Sequence, residues 1–140
     1  MRSRILRSFF SFHLAVLFTA LLYASGAAAS ELAPQSSQAD GVSISVKPAD
    51  VSAAATTWQF QVALNTHSGA LEDDLAHSAI LVDAAGKQHA ALGWDGDPAG
   101  GHHRRGVLRF KPLSPRPGAL ELRIVRSGET APRTFRWNLK

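Results

Sequence analysis

Hydrophobic and polar residues alternate along most of the chain from Gly41 to the C-terminus. Val42, Ile44 and Val46 alternate with serines and a lysine, and the segment WQFQVAL (58–64) has a bulky apolar residue at every second position. A period of two is typical of strands that bury one face against a core. The pattern predicts seven short strands at 42–46, 58–64, 79–82, 89–94, 107–111, 120–125 and 134–139.

Turn residues separate these strands. Aspartate, glycine and proline cluster at 83–86, 95–98 and 112–118, and such clusters end extended segments. Only the segment LEDDLAH (71–77), with two leucines four positions apart, predicts a helix, and it allows a single turn. Seven short strands in about 100 residues predict an all-β, immunoglobulin-like antiparallel sandwich, with an open barrel as the alternative.

The first 29 residues have the order of features of a secretory signal peptide. Arg2, Arg4 and Arg7 precede an apolar run over 9–23, and alanines at 27–29 form a small-residue cleavage motif. We therefore expect a periplasmic or secreted protein that touches the membrane only through an uncleaved signal segment. The polar residues 30–40 predict a flexible linker, and residues 41–140 the β-sandwich domain.

Composition excludes several kinds of site. The chain has no cysteine, and its one methionine is Met1, so thiolate, blue-copper and methionine-rich Cu(I) sites are excluded, as are disulfides. Residues 31–101 carry 2 basic and 9 acidic side chains, whereas 102–140 carry 10 basic and 2 acidic ones. This asymmetry predicts ion pairs between strands of the two halves, and we do not expect nucleic acid as a partner.

The antiparallel strand order predicts that four histidines and two aspartates converge at one end of the sandwich, namely His67, His77, His102, His103, Asp95 and Asp97. The second strand runs toward His67 and the fourth toward Asp95, while His102 and His103 precede the fifth. Loops at one end of a rigid sandwich commonly carry binding residues. Imidazole and carboxylate together suit Zn(II), Cu(II) or Ni(II). The sequence thus predicts a binding module with a divalent metal site formed by His67, His102, His103 and Asp95.

The arginines beside these histidines support a different hypothesis. Arg104 and Arg105 would place two positive charges next to a bound cation, which disfavours a metal ion. Guanidinium groups suit carboxylates and phosphates instead. The alternative is therefore an interaction domain for an acidic protein or a small anion, with a binding set of Trp94, Asp97, Arg104 and Arg105.

The tryptophans and the remaining acids have simpler interpretations. Trp58 and Trp137 lie in alternating strands and are expected in the core. For Trp94, packing in the core is favoured over a role as the wall of a pocket. Asp73 and Asp74 are interpreted as charge at a helix start. The sequence has no nucleophile elbow and no zinc-protease helix, so we do not expect an enzyme.

Three motifs together resemble a family of small exported bacterial proteins of unestablished function. They are THS at 66–68, WDGxP at 94–98 and GGHHRxGVLxF at 100–110, and the likeness spans about residues 57–138. The resemblance implies that these segments occur together in members of the family. It implies no particular fold, cofactor or activity. The family has an aspartate where this chain has Asn65, so if that aspartate is a ligand in relatives, this chain binds metal more weakly.

Overall fold

The computed structural model describes residues 32–139, which form two antiparallel sheets consistent with a β-sandwich. The elements are β1 (Gln35–Ala39), β2 (Val42–Asp50), β3 (Trp58–Thr66), α1 (Leu75–Ser78), β4 (Ala79–Val82), β5 (Gln88–Ala90), β6 (Gly93–Gly96), β7 (His103–Phe110), β8 (Ala119–Ile124) and β9 (Arg133–Asn138). One sheet has the order β1-β2-β3-β7-β6 and the other β5-β4-β8-β9. The predicted signal peptide lies outside the described residues. Within these residues, no helix is long and apolar enough to cross a membrane.

The core lies between the two sheets and contains the alternating apolar residues that the sequence predicts. Phe60 on β3 contacts Phe110 edge-on, with ring centroids 5.7 Å apart. It also contacts Trp137 of the opposite sheet at 5.9 Å. Trp58 and Trp137 are both buried, as predicted. Burial of each such side chain contributes about 1.5–3 kcal/mol, so this interlayer contact stabilises the packing of the sheets.

The predicted linker is wrong for residues 35–39, which form β1. This strand pairs with β2 over its whole length, from Gln35 opposite Val46 to Ala39 opposite Val42. The Gln35 side chain forms two hydrogen bonds with the backbone of Arg136 at the edge of β9. Backbone pairing needs no apolar side chains, so a polar edge strand shows no hydrophobic alternation.

The predicted strand at 89–94 is two strands in different sheets. His89 pairs with Leu81 in the four-stranded sheet, whereas Trp94 pairs with Leu108 in the five-stranded sheet. The chain crosses from one sheet to the other through Ala91 and Leu92. This division, together with β1, raises the number of strands among the described residues from seven to nine.

Candidate functional site

Two segments that are far apart in sequence lie side by side at one end of the sandwich. The backbone N–H of Thr66 donates to the carbonyl of His102 at 2.9 Å. Leu71 exchanges two backbone hydrogen bonds of 2.9 Å with Gly100 and Gly101. The loop after β3 and the loop before β7 therefore meet, as the antiparallel order predicts, and we call this end of the molecule the loop end.

Arg104 is buried at the loop end, with only 2% of its surface exposed. Its guanidinium donates to the carbonyls of Leu71 at 3.1 Å, Asp73 at 2.6 Å and Asp97 at 3.3 Å. The Trp94 ring centroid lies 5.8 Å from the guanidinium carbon. Arg104 thus cross-links two loops through their backbones. The expectation that it binds an external anion is therefore wrong, because its donors face the interior.

Trp94 and Asp97 shape the same loop from its other side. The Trp94 indole N–H donates to the Asp97 carbonyl at 2.9 Å, and the ring packs against the core. The Asp97 carboxylate accepts from the backbone N–H of Arg105 at 2.8 Å. Both residues thus hold the loop in place, and Trp94 packs as the sequence favours.

Asp95 lies apart from the histidines with which the sequence grouped it. Its carboxylate forms an ion pair with Arg109, with 2.5 Å between Oδ2 and Nε. Across residues 32–139, no group of three or more histidine, aspartate or glutamate side chains is placed to hold a metal ion. The predicted four-residue ligand set is not assembled in this geometry.

The three predicted histidine ligands are all exposed, and one of them has a defined orientation. His103 lies opposite Asn65 in the β3–β7 pair, and its Nδ1 is 2.7 Å from the Asn65 amide oxygen. A donor at Nδ1 leaves the Nε2 lone pair available, which is how metal-binding histidines are commonly held. His67 and His102 form no side-chain hydrogen bond within the described part of the chain.

Arg105 points away from the core, in contrast to Arg104. It lies on the outward surface of the five-stranded sheet, which we call the outer face. A depression of about 440 Å³ on this face is lined by Arg105 and Lys47, with Gln61 between them and Ala63 and Val107 as its apolar floor. No motif in the sequence marks Lys47 or Gln61, because only the strand register brings them beside Arg105.

A second cavity, of about 470 Å³, lies beside α1 at the loop end. Asp74 and His77 face it as a hydrogen-bonded pair at 2.7 Å, and this bond lowers the pKa of the Asp74 carboxyl. The Ser78 hydroxyl is buried there without a hydrogen-bond partner among residues 32–139. The sequence predicts charge at a helix start for this acidic segment, and Asp74 caps α1 by accepting from the His77 backbone N–H.

An arginine–glutamate network closes the rest of the loop end. Arg126 binds the Asp73 carboxylate through two nitrogens, at 2.9 and 3.1 Å, and Glu129 through a third at 2.7 Å. Arg133 also binds Glu129 and donates to the carbonyls of Val42 and Ala39. The hydrogen bond from Arg133, followed by that from Arg126, lowers the pKa of Glu129.

Comparison with protein-family models, with characterised proteins and with solved structures finds no match to this chain. The motif resemblance described above therefore stays a prediction, and the site is interpreted from its own geometry.

Proposed function

We propose that this chain is an exported, immunoglobulin-like binding module that recognises anionic groups through the outer face of its five-stranded sheet. One observation carries the proposal. Arg105 and Lys47 line a depression with an apolar floor, and no carboxylate contacts the Arg105 guanidinium within residues 32–139. An exposed guanidinium can bind a carboxylate or phosphate group through two parallel hydrogen bonds.

The strand order supports the immunoglobulin-like assignment. From β2 onward, the sheets have the orders β2-β3-β7-β6 and β5-β4-β8-β9. Lettered in chain order, these are A-B-E-D and C′-C-F-G, the arrangement of immunoglobulin-like sandwiches. In this scheme β1 is an addition at the edge beside strand A. The export step of the proposal depends on the signal features of residues 1–29.

The charge distribution explains why the outer face suits an anion better than the loop end does. At the loop end, the guanidinium groups already donate hydrogen bonds to carbonyls and carboxylates of the chain itself. This holds for Arg104, Arg126 and Arg133. On the outer face, by contrast, the exposed Arg105 forms no ion pair among residues 32–139 and is available to a ligand. Gln61 and Ser45 beside the depression add hydrogen-bonding groups for the rest of the ligand.

Titration with citrate and with inorganic phosphate, followed by backbone amide NMR shifts, tests the proposal. We expect the shifts to concentrate at residues 45, 61 and 105–107, and Arg105→Ala to weaken binding at least fivefold. Arg136→Ala is the control, because it removes an exposed arginine from the other sheet. Equal weakening by both variants, or shifts confined to other surfaces, would exclude the outer face as the binding site.

Divalent metal binding is the second candidate, and the oriented His103 side chain is the observation that favours it. Titration calorimetry with Zn(II), Cu(II) and Ni(II) should give a site that is weakened at least tenfold by combined His102→Ala and His103→Ala. Asn65→Asp should tighten it, because a carboxylate partner makes the imidazole a better ligand. His77→Ala is the control. Wild-type affinity equal to that of the double variant would remove this candidate.

A further inference from the structure

The outward positions of β7 form a line of basic side chains. His103, Arg105, Val107 and Arg109 point outward and lie opposite Asn65, Ala63, Gln61 and Gln59 of β3, while the alternate positions face the core. Lys111 follows directly after the strand and is exposed. Alternate residues of a strand are about 6.8 Å apart, so the line from His103 to Lys111 is about 27 Å long.

Most of this charge is available to a ligand. Arg109 is paired with Asp95, whereas no carboxylate contacts Arg105 or Lys111 within residues 32–139. The acid that β6 presents toward the same side, Asp95, is the one paired with Arg109, whereas β3 and the first half of β2 present amides and hydroxyls. These flanking side chains are Gln59, Gln61 and Asn65 on β3 and Ser43 and Ser45 on β2.

We propose that β7 is a binding track for an extended acidic polysaccharide, which names the ligand class of the proposed function and rests on it. A compact anion could reach only one or two of these cations, whereas a chain with regularly spaced carboxylates could follow the whole line. The flanking amides and serines match the hydroxyl groups of sugar rings, which both donate and accept hydrogen bonds.

The geometry of the strand disfavours an acidic peptide as the occupant. β7 lies inside the sheet, and its backbone groups are paired with β3 on one side and β6 on the other. A peptide therefore cannot join β7 as a new strand, which is the mode in which sheets commonly bind extended peptides. The aromatic rings on and beside this strand all lie at inward positions against the core, namely Trp58, Phe60, Trp94 and Phe110.

Oligogalacturonates of one, two, four and six units test the track by titration calorimetry in 0.15 M salt. We expect affinity to rise at least tenfold from one to six units. Lys111→Gln should weaken hexamer binding about threefold and leave monomer binding unchanged, because Lys111 lies beyond the depression around Arg105. Arg105→Gln should weaken both. Arg136→Gln, on the opposite sheet, is the control for net charge.

The outcomes separate this inference from the proposed function. A hexamer that binds no tighter than the monomer overturns the track but leaves anion recognition at Arg105 standing. Hexaglutamate that binds as tightly as hexagalacturonate overturns the polysaccharide class, as does equal binding of neutral maltohexaose. If none of these probes and neither citrate nor phosphate binds, both proposals fail.

Discussion

At the residue scale, the neighbours Arg104 and Arg105 have opposite environments because successive side chains of a strand point to opposite faces. Leu108 and Phe110 are buried in the core, so every second position before them also faces inward. This alternation puts Arg104 under the loops and Arg105 on the outer face. Two chemically identical side chains therefore differ in role solely through their position along β7.

Replacement of these arginines should separate the two roles. Arg104→Ala should lower the free energy of unfolding by about 3 kcal/mol, since it leaves the Asp73 carbonyl without a donor, removes one of the two donors to the Leu71 carbonyl and opens space beside Trp94. Arg105→Ala should change it by less than about 0.5 kcal/mol, because its side chain is exposed. Urea unfolding followed by tryptophan fluorescence measures both. Similar losses for the two variants would contradict the structural role of Arg104.

The orientation of these arginines could have been predicted from the sequence, but the pairing of His103 could not. Extending the alternation of Leu108 and Phe110 back by two steps places Arg104 inside. A strand that is predicted to begin at residue 107 leaves Arg104 in a loop, and the expectation of anion binding at Arg104 is wrong for this reason. The His103–Asn65 bond depends on the register of β3 against β7, and alternation alone does not determine which residues face each other across strands.

At the element scale, β6 and β7 approach each other closely because both carry a glycine under the Trp94 ring. Gly96 lies opposite Gly106 in the pair. A Cβ atom on Gly106 would lie 2.6 Å from the Asp95 carbonyl oxygen and 2.7 Å from the Trp94 ring. Packing therefore requires glycine at both positions. The sequence motif alone does not explain why these two residues are glycines.

Alanine at position 106 should be poorly tolerated. Gly106→Ala forces the strands or the Trp94 ring apart and should lower the free energy of unfolding by about 2 kcal/mol, within the usual range for overpacking. Gly118→Ala is the control, since no atom lies within 4 Å of the corresponding Cβ position. Thermal unfolding should show a clearly lower Tm for the first variant only. An unchanged Tm for Gly106→Ala would show that the strand pair has room to adjust.

The sequence contained a signal for β1 that a search for hydrophobic alternation does not use. Asp40 and Gly41 both have positive φ values, of 48° and 73°, and join β1 to β2 as a two-residue hairpin loop. An Asp-Gly pair is a strong hairpin signal, but the residues before it are all polar or small, and the composition favoured a linker. The sequence has no comparable signal for the division between β5 and β6, because the same polar and apolar pattern continues from one strand into the other.

At the scale of the whole molecule, ion pairs join segments that are distant in sequence. Asp73 pairs with Arg126 and Asp95 with Arg109, each joining the acidic first part of the domain to the basic second part. The charge asymmetry predicted such pairs. It did not predict that Arg126, Glu129 and Arg133 form one network over the loop end, because that arrangement depends on how the β8–β9 turn folds back.

This network makes stability depend on pH in a defined direction. The lowered pKa of Glu129 means that the folded state favours its ionised form, so the stabilisation is present above the unfolded value near 4.5 and is lost as pH falls through the folded value. Glu129→Gln should therefore be less stable than wild type at pH 7, and the difference should shrink below pH 4.5. Urea midpoints from pH 7 to 3 measure it, with exposed Glu72→Gln as the control. A difference that is constant over this range would contradict the linkage.

The two-residue connection between the sheets, Ala91 and Leu92, affects how the domain unfolds. The strands on either side of it, β5 and β6, are hydrogen-bonded into different sheets. Because only two residues join these strands, neither sheet can separate without displacing the other. The chain has no cysteine, so the backbone itself couples the two sheets at this point. We therefore expect both sheets to unfold together in a single cooperative transition.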